Sequence, residues 1–322
     1  MNWKVLFATM FLITDCDKTL VHYENNSNNN NDNNNDIIAL PSSSGSNKIG
    51  YIHKQTTSLL DDISKNNKIE SIICCSGMRT STMYQRYSYL PSITYWITEN
   101  GGRIHEIKRI DGSNHSSIEE ITEWKDYLLS DNDNFQRLIQ LQKDLINDGY
   151  DVDGIVLDNN CTKDSFEISI SNNYSTMIRV KNSKNMDIMT IIPKISDSLK
   201  YSFNLGYLDI YLPNSGKLKS SLWLMKYIRR KKRLVDDEDQ DQNEVIIARD
   251  DTNIDYYFMG DDDNDIEIAN NSTKAFIVEP CSESMQQFVR EKIHLNEVIV
   301  SDKLYHEATI NLLQMIQGLL IQ

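Results

Sequence analysis

The 322-residue chain has little of what would place it in several large functional classes. It has no basic excess: 33 Lys and Arg against 47 Asp and Glu give a formal net charge of -14, which argues against a nucleic-acid partner. No apolar run is long enough to cross a bilayer, so no membrane role is expected. The five cysteines form neither C-x-x-C pairs nor an even framework, and the chain reads as a reduced, cytoplasmic protein. No internal repeat is visible, and no histidines are spaced to hold zinc. Residues Met1 to Ile13 are apolar with Lys4 near the front. That run is short, lacks a small-residue cleavage site and meets acids at once, so it does not read as an export signal.

What is present suits a soluble α/β protein of one large or two modest domains. Phe11 to Thr14 is a buried strand, and Asn25 to Asp36 is an Asn-rich tract expected to be a disordered loop. A helix over Thr56 to Lys65, with Leu59, Leu60 and Ile63 on one side, leads to a strand from Ser71 that ends at Ser76-Gly77. A helix over Thr80 to Tyr89 and a strand over Ile93 to Thr98 complete a βαβ unit, which implies a parallel sheet. The middle differs in style. Strand-like segments at Arg103 to Ile110, Gly154 to Leu157, Phe166 to Ser171 and Met177 to Lys181 alternate with helices over Phe135 to Asn147 and Met186 to Lys200, which predicts an α+β module with an antiparallel sheet. From a strand at Leu208 to Leu212 the first style returns. A helix follows from Lys217 to Arg230, then a polar loop over 234–253, a strand at Tyr256 to Met259, a short helix at Ile266 to Asn271, a strand at Ala275 to Val278 and a helical remainder. The basic run Arg229 to Arg233 suits a helix C-terminus better than an import signal. The expected division is a Rossmann-like core over 1–102 and 206–322, with the α+β module inserted over 103–205.

Four junctions carry chemistry. Asp15 and Asp17 end the first strand, Ser76 ends the second, Lys217 starts a helix, and Asp261 with Asp265 follows a later strand. In an open parallel sheet such ends share one crevice. Carboxylates crowded there are unfavourable unless a metal or a proton lies among them. A hard cation would screen them, one acid could attack phosphorus, and its neighbour could handle the proton. His22 reads as a loop cap, Cys16 as core filling, and Tyr95, Trp96 and Trp223 as core.

The set Asp15-Cys16-Asp17-Lys18-Thr19, Ser76-Gly77, Lys217 and Gly260-Asp261-Asp262-Asp263-Asn264-Asp265 resembles the haloacid-dehalogenase-like (HAD) superfamily of hydrolases. The insertion between the Ser76 and Lys217 blocks, entered through Glu99-Asn100-Gly101-Gly102, is similar to the C2-type cap of the Cof-like and sucrose-phosphatase-like branches. The resemblance implies a phosphatase acting on a small phosphorylated metabolite, often a sugar phosphate, through an aspartyl-phosphate. It implies Asp15 as nucleophile, Asp17 as acid and base, Lys217 as the neutralising cation, and Thr19, Ser76 and Gly77 around the phosphate. It also implies Mg2+ held by Asp15, the backbone carbonyl of Asp17, Asp261 and Asp265. Arg79 and Asn100 are candidate substrate contacts. Three features depart from the pattern: Lys18 stands where glycine is usual, Met78 adds a residue before Arg79, and Lys219 competes with Lys217. A phosphotransferase or phosphomutase on the same site, and a binding protein without turnover, remain open alternatives. A membrane pump with an Asp-Lys-Thr motif is excluded by the lack of spans.

Overall fold

The computed structural model describes residues 9–23, 36–41, 49–109, 116–155, 174–181, 187–204, 206–236 and 254–321. In chain order the strands are β1 Met10–Thr14, β2 Ile37–Ala39, β3 Tyr51–His53, β4 Ile69–Cys75, β5 Tyr95–Thr98, β6 Arg103–Arg109, β7 Ser116–Glu120, β8 Val152–Asp153, β9 Met177–Val180, β10 Lys200–Asn204, β11 Tyr207–Tyr211, β12 Tyr256–Gly260, β13 Lys274–Ile277 and β14 Val298–Val300. The helices are α1 Lys54–Ser64, α2 Thr80–Arg86, α3 Thr122–Leu129, α4 Asn132–Asn147, α5 Lys217–Asp236, α6 Ile266–Asn270, α7 Glu283–Lys292 and α8 Tyr305–Ile321. Residues 25–35 of the Asn-rich tract, residues 237–253 of the polar loop expected over 234–253 and the expected strand at Phe166 to Ser171 lie outside the described residues.

Eight strands form the central sheet in the order β14-β13-β12-β1-β4-β5-β6-β7. The run from β14 to β5 is parallel, with Phe11 to Thr14 of β1 paired to β12 on one side and to β4 on the other. Side chains alternate along an extended chain, and both faces of this sheet are covered. Phe11 and Ile13 therefore join Ile73, Ile97 and Phe258 in one apolar cluster, and Leu12 joins Ile72, Trp96 and Met259 in the other. Helices α1 and α8 cover the second face, using Leu59, Leu60 and Ile63 against Leu312, Leu313 and Ile316. Each such aliphatic side chain contributes about 1.5–3 kcal/mol on burial.

The inserted module is a four-stranded antiparallel sheet, β10-β11-β9-β8, backed by α4. Alternation sorts its two faces. Ile178, Val180, Leu208 and Ile210 pack with Phe135, Leu138, Leu141 and Leu145 of α4. The intervening Arg179 and Asp209, direct partners across β9 and β11, lie on the opposite face toward the core.

Both expected boundaries fall inside sheets. Strands β6 and β7 do not enter the module; they extend the core sheet antiparallel to β5. The cause is the turn at Glu99, Asn100 and Gly101, whose φ values of 55°, 50° and 90° reverse the chain within a few residues. Gly206, read as a boundary, instead lies between β10 and β11 with φ 82°, so the strand at Leu208 belongs to the cap sheet and not to the core. The helix expected over Met186 to Lys200 is a 3-10 segment, Ile188–Lys194, containing Pro193 and followed by β10. Proline removes a backbone donor and disfavours a continuing α-helix.

Histidines lowered by burial make stability pH-dependent, and His105 is one of them beside His22 and His306. His105 on β6 is fully buried, and that burial pushes its imidazole down to about 3, with Arg103 adding to the effect and Glu120 opposing it. The unfolded chain takes up this proton near pH 6.5 and the folded chain does not. Stability therefore falls as pH drops through 6.5, by up to about 1.4 kcal/mol per pH unit from this site, until the folded value is reached. His105→Leu should flatten the urea-midpoint profile between pH 6 and 4 by about that slope; an unaltered profile would contradict this assignment.

Candidate active site

The carboxyl ends of β1, β4 and β12 and the start of α5 meet at one edge of the sheet. Asp15 follows β1, and its N–H donates to the carbonyl of Met259 at the end of β12 (2.8 Å). Lys217, the first residue of α5, donates from Nζ to Asp15 Oδ1 (2.8 Å) and to Asp265 Oδ1 (2.5 Å). Lys219, two positions on, donates instead to the exposed carbonyl of Pro213 (2.8 Å). Residues two apart on a helix do not share a face, and this separates the two lysines.

Asp15, Asp261 and Asp265 each place a carboxylate oxygen within 4.8 Å of the others, and all three are buried. Burial, with the charge of Asp265 beside it, pushes the Asp15 carboxyl up to about 7 although Lys217 opposes this. Burial and the charges of Asp15 and Asp265 raise Asp261 well above the ordinary range. Asp265 is raised by burial too, but Lys217 and the N–H groups of Asp261 and Asp262, which donate to its Oδ2 (3.1 and 3.2 Å), favour its charged form. Burial works against the charge of Lys217, yet the two carboxylates outweigh it and keep the ammonium protonated. Asp261 Oδ1 accepts from Thr19 Oγ1 (2.7 Å), whereas its buried Oδ2 has no hydrogen-bond partner among the described residues. Three oxygen donors in reach of one another, one of them orphaned, fit a hard divalent cation.

Gly260 ends β12 because a Cβ there would lie 2.6 Å from Asp265 Oδ2 and 2.7 Å from the Phe258 ring. Gly77 has a similar reason: its Cβ would approach Asn204 Nδ2 of the inserted module to 2.2 Å. Ser76 is buried at the end of β4, with its hydroxyl facing the N–H of Met78 (3.3 Å). Thr19 directs its hydroxyl to Asp261, and its carbonyl accepts from Thr309 Oγ1 of α8 (2.5 Å).

Asp17 lies in a separate clamp. Arg86 Nη1 donates to its Oδ1 (2.5 Å), Tyr23 donates to the same oxygen, and Arg86 Nη2 donates to Tyr23 Oη (2.9 Å). Burial opposes ionisation of Asp17, but Arg86 and Tyr23 together hold its carboxyl below the usual range. Arg86 and Tyr23 were not anticipated from sequence. The available signal was a lone arginine three residues after buried Met83 on α2, on the face turned to the core. Arg79 is ion-paired with Asp153 of β8 and lies 4.9 Å from the Tyr174 ring centroid. Asn100 has both ends of its amide engaged within the protein, by Asp209 and Asn264.

No family model matches the chain, and no curated protein matches it. Solved structures do. Sucrose-phosphatase from Synechocystis, in complex with sucrose and phosphate, superposes with TM-score 0.54 at 13% identity, over 96% of this chain and 98% of that one. A HAD subclass IIB sugar phosphatase gives 0.53 at 11% identity, over 97% and 100%. A Thermoplasma acidophilum protein gives 0.53 at 10%, over 96% and 99%. The chain shares its fold with these structures: a mainly parallel core sheet with an inserted cap.

Lys18 has φ 63°, the left-handed region that glycine occupies freely. The conformation costs a non-glycine residue about 1–2 kcal/mol, partly offset in glycine by about 0.5–1 kcal/mol of unfolded-chain entropy. Lys18→Gly should therefore equal or exceed the native stability by up to about 1 kcal/mol in urea denaturation, and β-branched Lys18→Val should fall below both. A valine variant as stable as the glycine variant would contradict the turn assignment.

Proposed function

We propose that the protein is a magnesium-dependent phosphatase that hydrolyses a small phosphate monoester through an aspartyl-phosphate on Asp15. The observation that carries this reading is the single ammonium of Lys217 bridging Asp15 and Asp265 beside the unpartnered oxygen of Asp261. A structural carboxylate would be hydrogen-bonded on both oxygens; a carboxylate that must attack or ligate keeps an oxygen open.

Asp15, Asp261 and Asp265, with the carbonyl of Asp17, would hold Mg2+, which supplies Lewis-acid screening of the carboxylates and the phosphoryl oxygens. Lys217 would neutralise charge shared by Asp15 and the phosphate, and Ser76 and the backbone at Gly77 would hold the phosphoryl oxygens. Asp15 Oδ attacks phosphorus as the bond to the leaving oxygen breaks. Asp17, two residues on, would give that oxygen a proton and later take one from the hydrolytic water. Arg86 and Tyr23 favour its charged form in the free protein, so the acid role requires Asp17 to leave that clamp and take up a proton as the ester binds.

The cap's core-facing surface supports a sugar-like leaving group. Arg179 donates to Asp209 from Nε (2.6 Å) and Nη2 (2.7 Å), and lies 5.2 Å and 5.6 Å from the ring centroids of Tyr174 and Tyr207. Its charge is matched one to one by Asp209. A polar, aromatic-flanked surface without net charge suits hydroxyl groups better than a second anion. The likeness to sugar phosphatases points the same way. Cytoplasmic placement rests on the free cysteines Cys16, Cys74, Cys75 and Cys281, and among the described residues no helix is long and apolar enough to cross a membrane. This chemistry calls for neither a nucleic-acid nor a membrane partner.

Asp15→Asn and Lys217→Met should each lower magnesium-dependent hydrolysis of an aryl phosphate at least about 100-fold, while Lys219→Met stays within about threefold of the native chain. The assay is free phosphate release across aryl and sugar phosphates, with and without EDTA. Full activity in Asp15→Asn, or transfer to added sugar without release, would overturn the hydrolase reading.

A further inference from the structure

Asn100 contacts the Ser76 strand end, the turn before Lys217, the acidic loop and the cap. Its N–H donates to Ser76 O (3.3 Å), and its carbonyl accepts from Gly216 N (2.8 Å) and Ser215 Oγ (2.9 Å), just ahead of Lys217. Its Nδ2 donates to Asp209 Oδ2 on the cap (2.7 Å). Its Oδ1 accepts from Asn264 Nδ2 (3.0 Å), which lies in the acidic loop between Asp261 and Asp265. The residue is 1% exposed and sits at φ 50°, ψ 43°.

Asparagine is one of the few residues besides glycine that takes this left-handed conformation readily. Here both ends of its amide are also engaged. We infer that Asn100 is a positioning residue that couples the seating of the cap to the geometry of the metal-binding loop.

The argument runs through Asp209. It is fully buried and accepts from Arg179 Nε, Arg179 Nη2, Asn100 Nδ2 and Asn204 Nδ2. Of these donors, only Asn100 belongs to the core; Arg179 and Asn204 ride on the cap strands β9 and β10. Lifting the cap therefore breaks the Asn100–Asp209 bond in particular. A buried carboxylate that loses a donor and an amide that loses its acceptor both oppose that motion. Once Nδ2 is released, the Asn100 amide keeps only Asn264 as a hydrogen-bond partner at that end, and the contact that fixes the loop carrying Asp261 and Asp265 is weakened. Seating the cap and ordering the acidic loop thus become one event. By linkage, whatever seats the cap tightens magnesium binding, and magnesium favours the seated cap. The consequence for turnover rests on the phosphatase reading; the coupling itself is a property of the fold.

The test measures Mg2+ affinity by calorimetry in the native chain, Asn100→Gly, Asp209→Asn and the double variant, with melting temperatures recorded beside it. Asn100→Gly keeps the left-handed backbone and removes only the amide. Each single variant should bind Mg2+ about tenfold more weakly, and the double variant no more weakly than the worse single one, because both break one connection. Asn264→Ala removes the same connection from the loop side and should match Asn100→Gly, which keeps the test decisive if a buried variant fails to fold. Native Mg2+ affinity in Asn100→Gly and Asn264→Ala, or additive losses in the double variant, would overturn the coupling even where melting temperatures fall. A chain that shows the coupling yet releases phosphate from no ester would retain this inference and remove the phosphatase reading.

Discussion

Three carboxylates buried around one ammonium are the constraint from which the rest of the site follows. Asp15, Asp261 and Asp265 are each nearly sealed from solvent, and Lys217 reaches only two of them. Several kcal/mol oppose each buried ion, and one cation cannot offset three anions in so small a volume. The cluster is therefore stable only with a further positive charge or with a proton, consistent with an Asp15 carboxyl pushed up to about 7 in the bare protein.

The fold supplies the geometry for this at several levels. Parallel pairing of β1 with β4 and β12 brings three strand ends together, and the bond from Asp15 N–H to Met259 sets one acid against the loop that carries the others. Glycine at 260 lets Asp265 close on the strand end, and glycine at 77 lets the cap come down to the loop after β4. The left-handed turn at Glu99 and Asn100 then ties these parts to the cap. Glu99 accepts from Ser175 and Thr176 as the chain re-enters the cap sheet, and Asn100 holds Asp209. Core and cap are joined by buried polar contacts that must be satisfied together, so they favour one seated arrangement.

The sequence disclosed the carboxylates and the lysine because strand ends and helix starts fix such groups through local pattern. Lys217 is favoured over Lys219 there by Gly216 ahead of it and Ser220 after it, and the choice depends on where the helix begins, to within one residue. Lys18 was visible as a departure, and its positive φ now gives the departure a backbone cause. Arg86, Tyr23, Arg179 and Asp209 were hidden, because their roles depend on contacts between segments far apart in the chain. The domain boundaries were misread for a related reason. Gly102 and Gly206 mark turns, and a turn signal does not tell a hairpin within a sheet from a passage between domains.

The central claim is that Asp15 attacks phosphorus. Turnover of an aryl phosphate with magnesium, quenched in acid and followed by mass spectrometry of the peptide containing Asp15, tests it most directly. The account predicts a phosphoryl adduct on that aspartate during turnover, absent from Asp15→Asn. An unmodified Asp15 peptide throughout steady phosphate release would contradict it.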